Sequence, residues 1–486
     1  MKPKLALLII IAFAFMGCSH IHFRSSSENA STNEVRVALF FNKIIEGESP
    51  NMAQLNLFFS EMPKGGDLHH HYSGSIYVET YLDWAEINNQ LIDRKTLEIS
   101  KYKTDTTVTV NELRSDTELY RRLLTLWSDK DYSNHYHLQL PPDANFFNTF
   151  GYFGYVTGSY DKGLMVLKER AIKENVSYIE TMIKSVGYSY SDTVFDENIR
   201  NNCGDEKVSL LLDGLSSRID GNALFKKTIN DFILEIEKAH EDASVDDDQF
   251  MMRYQTYASR NSTPSKVFSA LYAAFKAVET SELLVGVNFV GPENGVVAIA
   301  DYKLHMQFFA YLKKRFPRVN IALHAGELTL GMVRPKNLKF HIAQALHIAG
   351  AQRIGHGVDL PYEEDAIDLL EEIKENAVVE INFTSNEFIL GVKDQEHPYL
   401  IYSAYDVPIV ICTDDSGVSR NNLSREYVLL AARYKPSYNT VKKYVYNSIK
   451  YSFLSKGDKE TLIKSLDERF EKFESEMLKY SDQILK

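Results

Sequence analysis

Cysteine is scarce in this sequence, which has three cysteines in 486 residues. Cys18 follows an apolar N-terminal stretch, so only Cys203 and Cys412 remain for the rest of the chain. Cys412 ends the apolar run 407–412, which is typical of a buried strand. The sequence therefore indicates no disulfide framework of the kind that stabilises small secreted domains.

Positive charge is also in short supply, with 54 Lys and Arg against 66 Asp and Glu and a formal charge of -12 at pH 7. Phosphate binding needs clustered Lys and Arg, so this balance argues against a nucleic acid as the main partner. A small neutral or cationic ligand fits it better. Hydrophobic residues make up 44% and charged residues 25%, which is typical of a globular protein with a large core.

The apolar run at the N terminus, residues 5–16, is too short to span a membrane comfortably. It follows Lys2 and Lys4 and ends just before Cys18, which is the layout of a secretory signal. Its end resembles a bacterial lipoprotein signal, in which Cys18 becomes the lipidated first residue. We therefore expect residues 1–18 to be a signal peptide.

Such a signal predicts export from a bacterial cytoplasm. With a lipid on the cysteine, the protein is expected at the outer membrane or the periplasmic face of a membrane, held by its lipid anchor only. Without the lipid it would be periplasmic or secreted. Residues 19–35, rich in Ser, Asn and Glu, are predicted to be a flexible tether, and residues 36–486 a single catalytic domain. Nothing in the sequence supports an oligomer.

Short apolar runs alternate with longer segments of helical spacing, a pattern that predicts strand-helix repeats around a parallel sheet. Eight strands are expected, the number that closes a TIM (β/α)8 barrel, an α/β fold. These strands are 66–71, 176–181, 250–257, 283–289, 319–325, 353–356, 377–382 and 408–413.

Helices are clearest at 264–280, 297–316, 338–349 and 363–375, and the C-terminal stretch 436–486 is expected to be wholly helical. Two segments fit no minimal repeat and are interpreted as insertions over the barrel, at about 90–145 and 183–247. The chain also carries an N-terminal extension before the first strand.

Three consecutive histidines end the first predicted strand. Alternation along a strand sends His69 and His71 to one side and His70 to the other. Two imidazoles on one face can bind one metal ion at the carboxyl end of a barrel, where active sites of this fold lie. Alone, the pair could equally be a polar strand end with hydrogen-bonded rings.

Three more strand ends carry similar chemistry. His324 and Glu327 close the fifth predicted strand, His356 lies between two glycines at the end of the sixth, and two aspartates follow the eighth. Each could separately be a helix cap or a tight turn. Their convergence at one end of one barrel instead indicates a metal site with acid-base groups beside it.

The elements PKGGDLHHH, HAGE, GHG and TDD, in this order, resemble the adenosine deaminase family of the amidohydrolase superfamily over roughly residues 62–419. The Met-Pro-Lys-Gly-Gly opening at residues 62–66 and the extra N-terminal and inserted segments look closer to the secreted, growth-factor-related branch of this family. The resemblance implies that His69, His71, His324 and Asp414 bind one Zn2+ per chain. Zn2+ lowers the pKa of bound water toward about 7 and so makes a hydroxide nucleophile available.

The resemblance also implies roles around the purine. His356 would orient and deprotonate the water, and Glu327, as a carboxylic acid, would protonate N1. Asp415 would bind N7, and the backbone N–H of Gly291 would bind N3, although a Gly-Pro pair after a strand is also an ordinary turn. The expected reaction converts adenosine, 2'-deoxyadenosine or a related 6-aminopurine nucleoside to inosine (or its counterpart) and ammonia.

One position departs from the family. Ser73 stands where the family has an aspartate that contacts the ribose, which leaves the preferred sugar open. Four aromatics of a possible helix could cover the purine, but a helical aromatic stripe is more often core, so they are left out of the predicted site: Phe146, Phe147, Phe150 and Tyr152.

Two other functions stay open. A two-metal amidohydrolase with a non-nucleoside substrate would usually carry a bridging lysine on the fourth strand, and residues 283–289 contain none. A nucleoside-binding surface protein without turnover would have no need of Glu327 or His356. Deaminases of bases in nucleic acids use a Pro-Cys-x-x-Cys element, which this sequence lacks.

Overall fold

The computed structural model describes residues 32–130, 132, 140–201 and 204–484. The predicted signal peptide, Cys18, most of the predicted tether and Cys203 lie outside the described residues, so these interpretations stay predictions. Residues 32–35, assigned to the end of the tether, form the first turn of a helix. Within the described part of the chain, no helix combines the length and apolar character that a membrane crossing requires.

Eleven strands are present among the described residues, in two sheets. They are β1 (Gly65–His71), β2 (Leu91–Asp93), β3 (Ile99–Ser100), β4 (Thr107–Thr109), β5 (Val176–Lys184), β6 (Met251–Ser259), β7 (Leu284–Val290), β8 (Asn320–Ala325), β9 (Arg353–His356), β10 (Val378–Ile381) and β11 (Ile409–Ile411). Eight form one sheet in the order β1-β5-β6-β7-β8-β9-β10-β11, with each neighbouring pair parallel. All eight predicted barrel strands are confirmed.

The first and last strands of this sheet meet at residues of the predicted site. Asp414 N–H donates to the His69 carbonyl at 2.9 Å, and His71 N–H donates to the Asp414 carbonyl at 3.2 Å. Beside them, Thr413 Oγ1 donates to Asp67 Oδ2 at 2.6 Å. These bonds join β1 to the end of β11, so the seam of the TIM barrel runs through the candidate site.

Helices surround the barrel and form both insertions. They are α1 (Thr32–Ile45), α2 (Met52–Glu61), α3 (Tyr72–Ser75), α4 (Val78–Ile87), α5 (Val110–Ser115), α6 (Thr117–Leu126), α7 (Pro142–Phe153), α8 (Tyr160–Lys173), α9 (Thr193–Arg200), α10 (Asp205–Asp220), α11 (Ala223–Asp242), α12 (Pro264–Thr280), α13 (Val296–Ala300), α14 (Tyr302–Arg315), α15 (His341–Gln344), α16 (Ala366–Asn376), α17 (Phe383–Leu390), α18 (Tyr399–Ala404), α19 (Leu423–Tyr434), α20 (Tyr438–Lys450) and α21 (Lys456–Ile484).

Three helical predictions need correction. The segment 297–316 is divided at Asp301 into α13 and α14, and 338–349 contains only the four-residue α15 followed by a π-helical turn. The C-terminal stretch is not wholly helical, because residues 451–455 separate α20 from α21. A tertiary contact fixes this break: Phe453 N–H donates to the buried Glu180 Oε2 at 2.9 Å.

The first insertion holds the small antiparallel sheet, in the order β3-β2-β4, together with α5, α6 and the start of α7. Trp127 joins this sheet to the helices, since its indole N–H donates to the Leu97 carbonyl at 2.9 Å. The second insertion consists largely of α9, α10 and α11. The N-terminal extension, α1 and α2, packs against the C-terminal helices.

Candidate functional site

Four side chains converge at the carboxyl end of the barrel: His69 and His71 from β1, His324 from β8, and Asp414 just after β11. The Nε2 atoms of His69 and His71 each lie 3.1 Å from Nε2 of His324. Asp414 Oδ1 lies 3.5 Å from His69 Nε2 and 3.2 Å from His71 Nε2. The structure therefore brings together all four residues predicted to bind a metal.

The spacing of these atoms fits one ion. Tetrahedral coordination with bonds of about 2.0 to 2.1 Å places neighbouring ligand atoms roughly 3.3 Å apart. Burial and the adjacent imidazoles hold the pKa of His324 well below its usual range, so this ring is neutral and can offer a lone pair. Three imidazole nitrogens and one carboxylate oxygen are donors that suit zinc.

The Nδ1 atoms of two of these histidines have hydrogen-bond partners on neighbouring strands. His69 Nδ1 lies 2.7 Å from Glu380 Oε2 on β10, and His324 Nδ1 lies 2.9 Å from Asn288 Oδ1 on β7. A carboxylate oxygen and an amide oxygen only accept hydrogen bonds, so each Nδ1 carries the proton. Nε2 of each ring consequently faces the metal-ligand group, and a neutral ring there offers its lone pair, which is the arrangement a metal-binding histidine needs.

A buried ion-pair chain keeps Glu380 charged. Arg353 Nε lies 2.7 Å from Glu380 Oε1, and Arg353 Nη1 lies 3.0 Å from both carboxylate oxygens of Glu180. Although burial raises the pKa of Glu380, Arg353 and the bond to His69 bring it below its ordinary value. Glu380 thus stays an acceptor for the Nδ1–H of His69.

His70 points away from this group, as alternation predicts. Its Nδ1 lies 2.9 Å from Thr181 Oγ1 on β5. Burial lowers the pKa of His70 to about 3, so the ring is neutral at any physiological pH. The middle histidine is therefore a hydrogen-bonded core residue.

Glu327 and His356 lie beside the metal-ligand group. His356 Nε2 is 3.7 Å from Glu327 Oε1 and 3.8 Å from Asp414 Oδ2. Both side chains are buried. Burial is the main reason that the pKa of Glu327 is raised above its usual value, so this carboxyl holds its proton to a higher pH than a surface glutamate.

Glu293 fixes the turn that carries Glu327. Its carboxylate accepts hydrogen bonds from the backbone N–H groups of Gly326 at 3.1 Å and Glu327 at 3.0 Å, and lies 2.5 Å from His341 Nδ1. Although burial opposes charge, Arg260 and His341 hold the pKa of Glu293 at about 2. Glu293 was not among the residues predicted from the sequence.

Asp415 lies on the pocket side of Asp414, and Gly74 makes room for it. A Cβ atom on Gly74 would come within 1.5 Å of Asp415 Oδ1, so only glycine fits there. Burial and then the adjacent Asp414 raise the pKa of Asp415 well above its usual value. Asp415 is therefore a protonated carboxyl with a donor as well as an acceptor.

These groups open into a cavity of about 310 Å³. Ser73 and Gly291, for which the family resemblance implies substrate contacts, both line it, and Gly291 has a φ of +97°. The lining residues are His71, Ser73, Phe146, Phe147, Phe150, Tyr257, Val290, Gly291, His324, Glu327, Asp414 and Asp415.

Three aromatics of α7 line this cavity, although they were not among the site residues predicted from the sequence. Helical spacing alone does not distinguish a stripe that packs on the core from one that faces a pocket. Other supporting residues had a readable signal: Asn288 and Glu380 are polar residues inside otherwise apolar strands. Such residues are buried only when partners satisfy them.

Comparison with known proteins agrees with this geometry. The family model described as adenosine deaminase matches residues 225–469. An adenosine deaminase of Clostridium kluyveri is 33% identical over 172 residues, which are 34% of this chain and 46% of the relative. The N6-methyl-AMP deaminase of Bos taurus is 30% identical over 250 residues, 50% of this chain and 66% of the relative. The chain spans about half the length of the first bacterial relatives it matches.

Solved structures share the fold. The N6-methyl-AMP deaminase from Arabidopsis thaliana in its apo form has a TM-score of 0.56 at 17% identity, covering 85% of this chain and 98% of that one. An amidohydrolase from Burkholderia ambifaria with bound Zn has a TM-score of 0.51 at 14% identity, covering 93% and 97%.

Proposed function

Because the chain belongs to the adenosine deaminase family, we propose that it is a zinc-dependent hydrolase that deaminates a 6-aminopurine nucleoside such as adenosine or 2'-deoxyadenosine. One observation carries the proposal. The four-residue metal-ligand group meets, at one aromatic-lined cavity, the buried carboxyls of Glu327 and Asp415, whose pKa values are both raised.

We propose that His69, His71, His324 and Asp414 bind one Zn2+ per chain. The donor set and spacing support this, and a structure of the same fold holds Zn. A bound zinc ion would lower the pKa of a coordinated water and so supply a nucleophile at neutral pH. The chain's own contribution is to present Nε2 of each histidine, with the Nδ1–H groups of His69 and His324 held by Glu380 and Asn288.

Glu327 is proposed to hold the proton that N1 of the purine receives. A proton on N1 draws electrons from the ring and makes C6 open to attack. Burial raises the pKa of Glu327 above its ordinary value, which favours the protonated form that this role needs. Glu293 keeps the carboxyl in place by accepting two backbone hydrogen bonds from the turn before it.

Asp415, Gly291 and Ser73 are proposed to orient the nucleoside. N7 of a purine is a hydrogen-bond acceptor, so a protonated Asp415 would donate to it. Gly291 would offer its backbone N–H to N3, and Ser73 a hydroxyl to the sugar. The α7 aromatics would cover the face of the base.

The cavity also favours a nucleoside over a nucleotide. Some relatives are N6-methyl-AMP deaminases, whose substrate carries a 5'-phosphate. Among the described residues that line the cavity there is no Lys or Arg. Three of the lining residues are acidic: Glu327, Asp414 and Asp415. The described lining therefore offers no cation to balance the charge of a phosphate dianion.

The test compares the purified protein with Glu327→Gln, and with Glu364→Gln as a matched control on the exposed surface. We expect adenosine to yield inosine and ammonia with about one zinc per chain. Glu327→Gln should retain zinc and lose roughly 10²- to 10⁴-fold in kcat, the usual contribution of a general acid. The control should match the wild type.

Other outcomes would redirect the proposal. AMP turning over faster than adenosine would contradict the nucleoside preference. Zinc binding without turnover of any 6-aminopurine nucleoside would contradict the deaminase proposal and leave a binding protein or another amidohydrolase. Full activity in Glu327→Gln would show that Glu327 is not the general acid.

A further inference from the structure

A chain of buried polar groups lies behind His356. Asn386 Oδ1 lies 2.8 Å from His356 Nδ1, and Asn386 Nδ2 lies 2.9 Å from His397 Nε2. At the far end, the backbone N–H of Tyr399 donates to His397 Nδ1 at 3.0 Å. His356, Asn386 and His397 are all buried, so each polar atom depends on these partners.

The donor and acceptor of each bond can be assigned in turn, starting from the backbone N–H of Tyr399, which can only donate. Burial, with Arg433 nearby, lowers the pKa of His397 to about 3, so its ring is neutral and has one N–H and one lone pair. A backbone N–H can only donate, which makes His397 Nδ1 the acceptor. The single proton of His397 therefore lies on Nε2.

That Nε2–H needs an acceptor, and Asn386 can offer only its amide oxygen. The oxygen and nitrogen of an amide exchange places by a half-turn of the side-chain end, so the hydrogen-bond partners decide which atom faces which ring. The oxygen must face His397, because an amide nitrogen there would place two donors against each other. The amide NH2 then faces His356 and donates to its Nδ1.

We infer that His397 is a positioning residue that sets the tautomer of His356 through Asn386, leaving the proton of His356 on Nε2. This nitrogen faces Glu327 and Asp414 at 3.7 and 3.8 Å. For the proposed deamination, His356 then presents an N–H donor to the attacking oxygen. It does not present the lone pair that the general-base role implied by the family resemblance requires.

The backbone gives His356 a reason to need such support. Its φ is +68°, in the left-handed region that a histidine adopts only when the surrounding structure holds it there. His397 is fixed in turn by the Tyr399 N–H and by the ring of Phe383, whose centroid lies 5.1 Å away. The orientation of His356 therefore rests on groups that do not touch the cavity.

The tautomer can be measured without substrate. The protein is labelled with 15N at histidine, and the 15N shifts of His356 are assigned by their loss in His356→Asn. Protonated and unprotonated ring nitrogens have well-separated shifts. We expect the proton on Nε2 in the wild type, and a proton on Nδ1 would overturn the inference. This measurement reports the tautomer of His356 whether or not the protein proves to be a deaminase.

Asn386→Asp supplies the sharpest variant, because a carboxylate accepts from both histidines and should move the His356 proton to Nδ1. Asn376→Asp, on an exposed helix end, is the matched control. We expect Asn386→Asp to lose at least about 100-fold in kcat, with zinc content and KM little changed, since a wrong tautomer of a catalytic histidine lowers kcat by up to about 10⁴ elsewhere. An unchanged tautomer with unchanged kcat would overturn the inference.

His397 is tested with a pair of variants. His397→Leu keeps the volume but removes both ring nitrogens, whereas His397→Gln keeps one donor and one acceptor. We expect the leucine variant to show mixed His356 tautomers and about a 10-fold lower kcat, with partial rescue in the glutamine variant. A leucine variant that keeps the wild-type tautomer and kcat would show that His397 only fills space.

Discussion

The histidines of this molecule have different roles, and the hydrogen-bond partners of each ring determine its role. His324 is neutral and directs Nε2 toward the metal-ligand group because Asn288 holds its Nδ1. His70, one residue from two candidate ligands, bonds Thr181 instead. His305 on α14 is buried, and neither of its ring nitrogens has a hydrogen-bond partner among the described residues.

His305→Leu is expected to stabilise the protein by about 1 to 2 kcal/mol near pH 7.5, because the wild type buries two unsatisfied polar atoms between aromatic rings. Burial lowers the pKa of His305 from 6.5 to about 3. Between those values the unfolded chain binds a proton that the folded chain rejects, so wild-type stability falls as the pH drops below 6.5.

The variant lacks this titration, so its advantage should grow by roughly 2 kcal/mol at pH 5. Equilibrium urea unfolding at the two pH values measures both effects. His347→Leu is the control, because His347 is half exposed and pairs with Glu372. An advantage for His305→Leu that does not change with pH would contradict the buried, neutral state of His305.

At the scale of elements, α7 determines what the cavity can bind. Phe146, Phe147 and Phe150 all line the cavity; Phe146 is buried, while Phe147 and Phe150 are partly exposed. Aromatic rings at such positions stack on a base without reading its hydrogen bonds. The helix thus contributes affinity, and the strand ends contribute the chemistry.

Phe147→Ala should raise KM for adenosine about 10-fold while kcat changes by less than about 3-fold, since stacking binds the ground state and the transition state alike. Steady-state kinetics separates the two constants. Tyr155→Ala is the matched control, because Tyr155 is an aromatic 65% exposed to solvent two residues beyond α7. A fall in kcat with unchanged KM would instead show that Phe147 positions reacting groups.

At the scale of the whole molecule, the two ends of the described chain pack together. Phe58 on α2 is fully buried, and its ring centroid lies 5.1 Å from that of Phe41 on α1. The centroids of Tyr438 on α20 and Phe473 on α21 lie 6.0 and 5.2 Å away. This aromatic cluster joins the N-terminal extension to the C-terminal helices.

Phe58→Ala is expected to lower the free energy of unfolding by about 3 to 5 kcal/mol, because a large buried ring leaves a cavity that its neighbours cannot fill. Leu57→Ala, at the adjacent exposed position, should change it by less than about 1 kcal/mol. Urea unfolding gives both values, and kcat of the folded variants should match the wild type. Equal effects of the two variants on the free energy of unfolding would contradict a stabilising role of the aromatic cluster.

Much of the barrel could be predicted locally. Most of the eight strands are short apolar runs between helical segments, and their pairing order follows the chain order. The opposite directions of His70 and its neighbours follow from alternation along one strand. The break at residues 451–455 was not predicted, because Glu180, a partner distant in sequence, fixes it.

What the sequence by itself determined was the fold and the set of side chains that meet at one barrel end, because both depend on periodicity and on the position of each residue in its own strand. The tertiary structure alone decided which nitrogen each histidine turns toward the centre, why Asp415 keeps its proton and why α7 lines a cavity. Those outcomes depend on burial and on hydrogen-bond partners supplied by other elements, which no local pattern specifies.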